Sequence, residues 1–294
     1  MTNQYCASKL RRYSLGLAIA VALPVTFVTP ASSVQVRISP ANPKLGDTLS
    51  VIIEPDGTSR NTPTVKLQQK PYPAFEIAPN RFRTMLPTTP LERPGVRTIQ
   101  VTLGDVIRNL AVKVSDRTFP VQRINLPPGK AGLGATQHEL NRVAAFKKLV
   151  TPQKYWNGAF VRPNKGRITT IYGVRRYYNG KFAKEYYHRG VDYAGAVGSP
   201  VFAPASGRVA LVGRVAQGFR VHGNTVGIDH GQGVTSTYLH LSRINVQEGD
   251  FVKPGQVIGA VGATGAVTGP HLHWGLYVHG ESVDPVPWRE QGFN

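Results

Sequence analysis

Apolar and polar residues alternate along residues 34–114 of this 294-residue chain. A period of two is typical of β-strands that bury one face. It is clearest in the runs 34–38, 49–53, 99–103 and 110–114, which are separated by turn-forming stretches such as EPDGT and LGDV. The pattern predicts a small β-sandwich of immunoglobulin-like type over residues 34–115. Because this region carries no catalytic cluster, we expect it to act in spacing, docking or inhibition.

A connector rich in proline and glycine follows at residues 116–165 and contains one predicted helix, near residues 136–149. Thr136 and Glu139 have the spacing of a capping box, in which each side chain bonds to the backbone N–H of the other residue. His138 lies in the first turn of this helix and is interpreted as an exposed polar residue.

Residues 166–290 return to strands and turns. The Asn-Gly pair in YYNGKF, residues 177–182, predicts a hairpin. The stretches SGRVALVGRV, NTVGIDHG, VTSTYLHL and QVIGAVGATG predict further strands. With 31 glycines and 23 prolines in the whole chain, the sequence predicts a mainly β fold.

The histidines are concentrated in this last region, where seven of the eight lie between residues 188 and 279. In HLHWGLYVH, which begins at His271, apolar residues alternate with the others as in a strand with one buried face. His271 and His273 therefore point to the same face, about 6.6 Å apart along the strand. Both can reach one small site. His279 lies about 20 Å further along and is interpreted as a surface residue.

Two other stretches carry side chains with metal or proton-transfer chemistry. HRGVD offers the imidazole of His188 and the carboxylate of Asp192, both suited to zinc, and Gly190 permits the chain to bend between them. His240, in the strand STYLHLS, would more often be structural if it stood alone. Together with the two histidines of HLHWG, these residues can supply three zinc ligands, an open coordination position and two histidines for proton transfer.

Five stretches carry a resemblance to a known family. GRITTIYGVR, HRGVDYAG, GNTVGIDHGQGVTSTYLHLS, GDFVKPGQVIGAVGATG and TGPHLHWGL together resemble the lysostaphin-type (LytM-like) zinc endopeptidases of bacterial cell walls. The resemblance covers about 125 residues and includes the H-x-x-x-D motif, the middle histidine and the H-x-H motif in order. It implies an antiparallel β-sheet domain with a groove, which hydrolyses the stem peptides and cross-bridges of peptidoglycan.

The resemblance also implies a role for each site residue. One zinc ion is held by His188, Asp192 and His273, and His240 and His271 form the catalytic pair. No H-E-x-x-H glutamate serves as a base in this family, so the histidine pair would accept the proton of water and return a proton to the leaving amine. Which of the two histidines is the base stays open, because spacing alone shows only that both can reach the site.

The first 33 residues and the net charge of the chain indicate where the protein acts in or outside the cell. Residues 1–33 combine basic residues with a short apolar run and read as a cleaved export signal. We therefore expect no stable membrane span after cleavage, and a location in the periplasm, cell wall or medium. The net charge of +19, or +16 once Lys9, Arg11 and Arg12 are removed, favours an anionic partner such as a wall polymer, although solubility alone could account for it. No nucleic-acid motif is present. Cys6 would leave with the signal, so the mature fold needs no disulfide.

Several alternatives remain open at this stage. A catalytically inactive relative that binds the wall or activates an amidase would have lost metal ligands, and none of the five positions is lost. The stretches around residues 199–213 and 249–262 also resemble biotinyl-lipoyl and sugar-phosphotransferase barrels, which are cytosolic carriers.

His222 and His230 are interpreted as structural. A cluster before His188 could line a groove or pack on its own sheet; its members are Arg175, Tyr177, Tyr178, Tyr186 and Tyr187.

Overall fold

The computed structural model describes residues 1–2, 33–56, 61–126 and 133–293. Nearly all of the predicted export signal, with Cys6, lies outside these residues. Within the described part of the chain, no helix is both long enough and apolar enough to cross a membrane. Contacts group Ser32–Asn294 into one compact unit.

The first eight strands form two four-stranded antiparallel sheets that face each other across a shared apolar core. Their orders are β1-β2-β6-β5 and β4-β3-β7-β8. The strands are β1 Val34–Ser39, β2 Thr48–Pro55, β3 Thr64–Leu67, β4 Lys70–Pro73, β5 Phe75–Ala78, β6 Arg81–Pro87, β7 Gly95–Leu103 and β8 Val106–Val114. Alternation brings Ile99, Val101 and Leu103 of β7 inward. The sandwich forms as expected, while its immunoglobulin-like type stays a prediction.

In the connector, where residues 116–126 and 133–165 are described, the chain forms a short strand and a helix, β9 Val121–Ile124 and α1 Gln137–Lys147. Thr136 caps the helix, since its hydroxyl accepts a hydrogen bond from the N–H of Glu139 at 3.1 Å. Val143 and Phe146 pack on strand and loop residues of the following region.

The remaining chain forms the long antiparallel sheet that positions the site. Its elements are β10 Ile168–Thr170, β11 Arg175–Tyr178, β12 Lys181–Phe182, β13 Val191–Ala194, β14 Pro200–Phe202, β15 Gly207–Gly213, β16 Asn224–Gly231, β17 Val234–Leu241, β18 Arg243–Ile244, β19 Phe251–Val252, β20 Val257–Ala260, β21 His271–Val278, β22 Glu281–Val283 and α2 Pro285–Glu290, with a 3-10 turn at Val215–Gln217. The main sheet runs β10-β13-β21-β17-β16-β15-β19, and β22 pairs with β21. Two small sheets, β14-β20-β18 and β12-β11-β9, flank it. The prediction of a mainly β, antiparallel fold is confirmed.

The sandwich is attached to this sheet through buried polar contacts. The side chain of Arg83, on β6, is fully buried and donates to Gln232 Oε1 at 3.2 Å. Burial lowers the pKa of Arg83 to about 10, so the guanidinium stays charged at neutral pH. Trp288, on α2, donates its ring N–H to Thr48 Oγ1 at 3.0 Å. The division into domains at residues 34–115 and 166–290 stays a prediction.

His230 is a buried histidine with a structural role, and it makes the stability of the fold depend on pH. Its Nδ1–H donates to the carbonyl of Ser206 at 2.8 Å, and its Nε2 accepts from the hydroxyl of Ser236 at 2.8 Å. Burial lowers the pKa of His230 from 6.5 to about 4. Between these two values the unfolded chain binds a proton that the folded chain does not, so the free energy of unfolding falls as the pH drops.

We expect His230→Gln to flatten this dependence. The parent protein takes up as much as one extra proton, on His230, when it unfolds between pH 6 and about pH 4.5. In the variant, the slope of the unfolding free energy against pH should therefore be smaller by up to roughly 1.4 kcal/mol per pH unit. Denaturant unfolding of both proteins across this range measures the slope. Equal slopes would show that His230 does not titrate on unfolding in this range.

Candidate metal centre

The pairing of two strands brings the predicted ligands together. Strand β13 runs antiparallel to β21 with Asp192 opposite His273 and Ala194 opposite His271. Directly opposed residues share a face of the sheet. The other face carries Leu272 and Trp274, both fully buried in the core. The alternation in the sequence therefore places both histidines of the H-x-H motif on the site face, as predicted.

Three donor atoms meet at this face. His188 Nε2 lies 3.0 Å from Asp192 Oδ1 and 3.0 Å from His273 Nδ1, and His273 Nδ1 lies 2.9 Å from Asp192 Oδ1. The bend that joins His188 to Asp192 passes close to β21 at Gly190. A Cβ there would lie 2.3 Å from the carbonyl oxygen of Trp274, so only glycine allows this approach.

The protonation states suit a metal ligand set. His188 Nδ1–H donates to the carbonyl of Ile171 at 2.8 Å, which leaves the lone pair of Nε2 facing the other two donors. Burial lowers the pKa of His273 to about 4, so its imidazole is neutral near pH 7. Burial opposes ionisation of Asp192, but the neighbouring imidazoles of His188 and His273 hold the pKa of that carboxyl well below its usual range.

This donor set fits zinc. Two neutral imidazole nitrogens and one carboxylate oxygen are common zinc ligands, and three protein ligands are the number found in catalytic sites, which keep a position open for water or substrate. The hydrogen bond from His188 to a backbone carbonyl is the kind of outer contact that fixes the tautomer of a ligating histidine.

The two histidines predicted to transfer protons lie beside the three donors. The rings of His240 and His271 are 5.0 Å apart, and the ring of His240 is 6.2 Å from that of His273. His240 Nδ1–H donates to the carbonyl of Thr264 at 2.9 Å, and His271 Nδ1–H donates to that of Gly269 at 2.9 Å. In each ring Nε2 therefore keeps a lone pair that can take up a proton. The structure places all five predicted residues within one site.

His240 reaches the site through an unusual backbone conformation. Tyr238 lies opposite the core residue Trp274, and Leu239 lies opposite His273 on the site face. Strict alternation would return His240 to the core face with Tyr238. Its φ of +66° departs from strand geometry and turns the ring to the site. A non-glycine residue in this left-handed region is strained by about 1 to 2 kcal/mol.

Arg176 is a site residue that the sequence analysis missed. One terminal nitrogen of its guanidinium lies 3.7 Å from Asp192 Oδ2, the carboxylate oxygen that points away from the three-donor cluster. The guanidinium also donates to the hydroxyls of Tyr178 at 3.2 Å and Tyr186 at 3.4 Å, and to Gln122 Oε1 at 3.1 Å. Gln122 belongs to β9, which pairs in parallel with β11. The connector thus contributes to the surroundings of the metal ligands.

These contacts bear on the aromatic cluster before His188. Tyr178 and Tyr186 hold Arg176, and Tyr177 packs on Phe182 across the hairpin with ring centroids 4.9 Å apart. Tyr187 is buried. Of the two interpretations left open, packing on the hairpin accounts for Tyr177, Tyr178 and Tyr186, while Tyr187 packs on Tyr172 and donates to the carbonyl of Ser282. The groove implied by the resemblance stays a prediction.

The other histidines lie outside the cluster of donors. His138 is exposed, as expected. His222 contacts Glu139. His279, interpreted from the sequence as a surface residue, is half-buried instead. Its ring packs 5.4 Å from that of Tyr72, on β4 of the sandwich, because the chain turns there with a φ of +47°.

Comparison with known proteins agrees with this geometry. The profile of Peptidase family M23 matches residues 186–285. The peptidoglycan DD-endopeptidase ShyA of Vibrio cholerae is 43% identical over 99 residues, and lysostaphin of Staphylococcus staphylolyticus is 42% identical over 106 residues. Each match covers 34% of this chain and 22% of the relative, so the chain spans about a fifth of the length of these relatives.

A solved structure resembles a larger part of the chain. The crystal structure of a putative peptidase M23 from Pseudomonas aeruginosa is 26% identical, with a TM-score of 0.63, and the match covers 86% of this chain and 96% of that one. This match includes the region before residue 186. The family match, the relatives and the three-donor cluster together confirm the resemblance drawn from the sequence: residues 186–285 are a domain of peptidase family M23.

Proposed function

We propose that the protein is a zinc-dependent endopeptidase that hydrolyses peptide cross-links of bacterial peptidoglycan, in remodelling or lysis of the cell wall. The observation that carries this proposal is the meeting of His188, Asp192 and His273 with two further histidines whose Nδ1–H groups are held by backbone carbonyls, which leaves the Nε2 atoms for proton exchange. His271 Nε2 also lies 3.8 Å from Asp192 Oδ1. The substrate class is supported by the name of the Vibrio relative, which specifies a peptidoglycan DD-endopeptidase.

Each residue has a distinct role in the proposed reaction. His188, Asp192 and His273 would hold zinc, which would supply a Lewis acid to polarise a peptide carbonyl and to lower the pKa of water. His240 and His271 take the proton of the attacking water and return a proton to the leaving amine. Burial lowers the pKa of His240 well below its usual value, so its ring is neutral near pH 7 and Nε2 carries no proton.

Arg176 contacts the carboxylate oxygen of Asp192 that does not face the other two donors. Its guanidinium neutralises the outer oxygen of Asp192, and it is itself held by two tyrosine hydroxyls and an amide. Residues that bond to a ligating carboxylate orient it and tune the metal. We propose that Arg176 keeps Asp192 oriented with Oδ1 toward the two ligating imidazoles.

We further propose that the protein is exported and that its positive charge favours contact with anionic wall polymers. The inactive alternative, a wall-binding or amidase-activating relative, is disfavoured because the five site residues are all present and assembled.

Digestion of isolated peptidoglycan tests the proposal. We expect the purified full chain to bind about one zinc ion and to convert cross-linked muropeptides to monomers, as followed by liquid chromatography and mass spectrometry. A chelator should stop the reaction, and added zinc should restore it. Walls with different cross-bridges would identify the bond that is cut. A zinc-loaded protein that leaves every cross-linked muropeptide intact would contradict the proposal.

A further inference from the structure

Glu139, in the first turn of α1, is a fully buried carboxylate in the connector, outside the region matched by the family profile. The capping box predicted from its spacing forms only in part. The hydroxyl of Thr136 caps the helix, but the carboxylate of Glu139 is directed at the loop of residues 220–222 instead of the N–H of Thr136.

Four donors of this loop bond to the carboxylate. The backbone N–H groups of Arg220, Val221 and His222 donate at 2.9, 3.1 and 2.7 Å, and His222 Nδ1 donates at 2.5 Å. A buried carboxylate is costly unless hydrogen-bonded. Burial would raise the pKa of Glu139, but the bonds from His222 and Val221 lower it to about 2. The loop is therefore shaped around a permanent negative charge.

The same loop supports His240 in two ways. The carbonyl of His222 accepts the backbone N–H of His240 at 3.1 Å. The carbonyl of Val221 accepts the N–H of Ala266 at 3.0 Å, and this anchors the turn whose residue Thr264 accepts the Nδ1–H of His240. Both the backbone and the ring of His240 thus depend on the loop. Because His240 adopts a strained φ of +66°, its conformation needs such external support.

We propose that Glu139 is a positioning residue for the peptidase reaction: its carboxylate fixes the loop of residues 220–222, and the loop holds His240 in its left-handed conformation facing the metal ligands. The proposal rests on the proposed function, since it assumes that His240 transfers a proton.

Glu139→Gln tests the proposal, because glutamine keeps the size of the side chain but cannot accept all four bonds. We expect kcat to fall about 10- to 100-fold, as for a displaced catalytic group, with KM changed less than about twofold and zinc content unchanged. The ring Nδ1–H signal of His240 in 15N-histidine spectra should shift or broaden, while that of His230, bonded to Ser206, stays in place.

Glu248→Gln is the matched control. Glu248 pairs with Arg142 on α1 and accepts the N–H of Val212 at 2.7 Å, so this variant also removes a carboxylate that holds the helix, but not one that bonds to the loop. We expect it to keep the kcat of the parent protein and an unshifted His240 signal.

His222→Asn is a milder second variant for use if Glu139→Gln does not fold. It removes only the ring contact and keeps the backbone donors, so it should move the same His240 signal with a smaller loss of kcat. The proposal would be overturned if the variant that folds kept the kcat of the parent protein and an unshifted His240 signal. Loss of zinc from that variant would also overturn it. If the parent protein does not cleave peptidoglycan, the proposed function fails, and the His240 signal still reports whether Glu139 positions this ring.

Discussion

His273→Ala is expected to remove both zinc binding and peptidase activity. The change takes away one of three donors that lie about 3 Å from one another and leaves His188 with Asp192 alone. Loss of a residue that bonds to a zinc ligand typically lowers the affinity for the metal 10- to 100-fold. Loss of a ligand itself should therefore lower the zinc affinity by more than about 100-fold. After dialysis, elemental analysis should find far less than one zinc per chain, and muropeptide release should fall to background.

The control for this variant is His279→Ala. His279 follows directly after β21 and lies outside the donor cluster. This variant should keep about one zinc ion and its activity. A His273→Ala protein with full zinc content and full activity would contradict the assignment of His273 as a ligand. His188→Ala should behave like His273→Ala, because His188 Nε2 contacts both other donors.

His240→Ala is expected to lose most of its turnover while zinc stays bound. The Nδ1 of His240 is engaged by Thr264, and its ring centroid lies 6.2 Å from that of His273, so the ring adjoins the ligands without belonging to the three-donor cluster. General acid or base catalysis contributes typically 10²- to 10⁴-fold, and a fall in kcat of this size is expected.

Zinc analysis and peptidoglycan digestion of the same sample separate the possible roles of His240. Retained zinc with lost turnover supports proton transfer. Lost zinc would instead make His240 a metal ligand, and unchanged turnover would exclude it from the reaction. Parallel measurement on His271→Ala compares the two histidines, since the Nδ1–H of each is held by a backbone carbonyl, while His271 Nε2 also lies 3.8 Å from Asp192 Oδ1.

Local patterns were sufficient to predict much of the site. The alternation of β21 placed His271 and His273 on one face, and a glycine between His188 and Asp192 allowed the bend, because both effects act over a few residues. The position of His240 could not be predicted in this way. Strand alternation assigns it to the core face, and only the left-handed backbone at this residue, supported by a distant loop, turns it to the site.

Contacts between distant segments account for what the sequence did not predict. Arg176 is one of many basic residues, and it becomes distinctive only when β9 pairs with β11 and brings Gln122 beside it. The spacing of Glu139 from Thr136 was explained by a capping box, so nothing in the sequence pointed to another partner for its carboxylate. Its actual donors lie 81 to 83 residues further along the chain, beyond the reach of any periodicity.

The pairing of β13 with β21 has a consequence for the accuracy of folding. A slip of one residue would turn the site-facing side chains of β21 into the core and the core-facing ones outward. Leu272 and Trp274 would then lose their apolar surroundings at the same step at which Asp192 lost His273. A misaligned chain is thus less stable and also lacks the three-donor cluster, so the stability of the core favours the one register that assembles the candidate metal site.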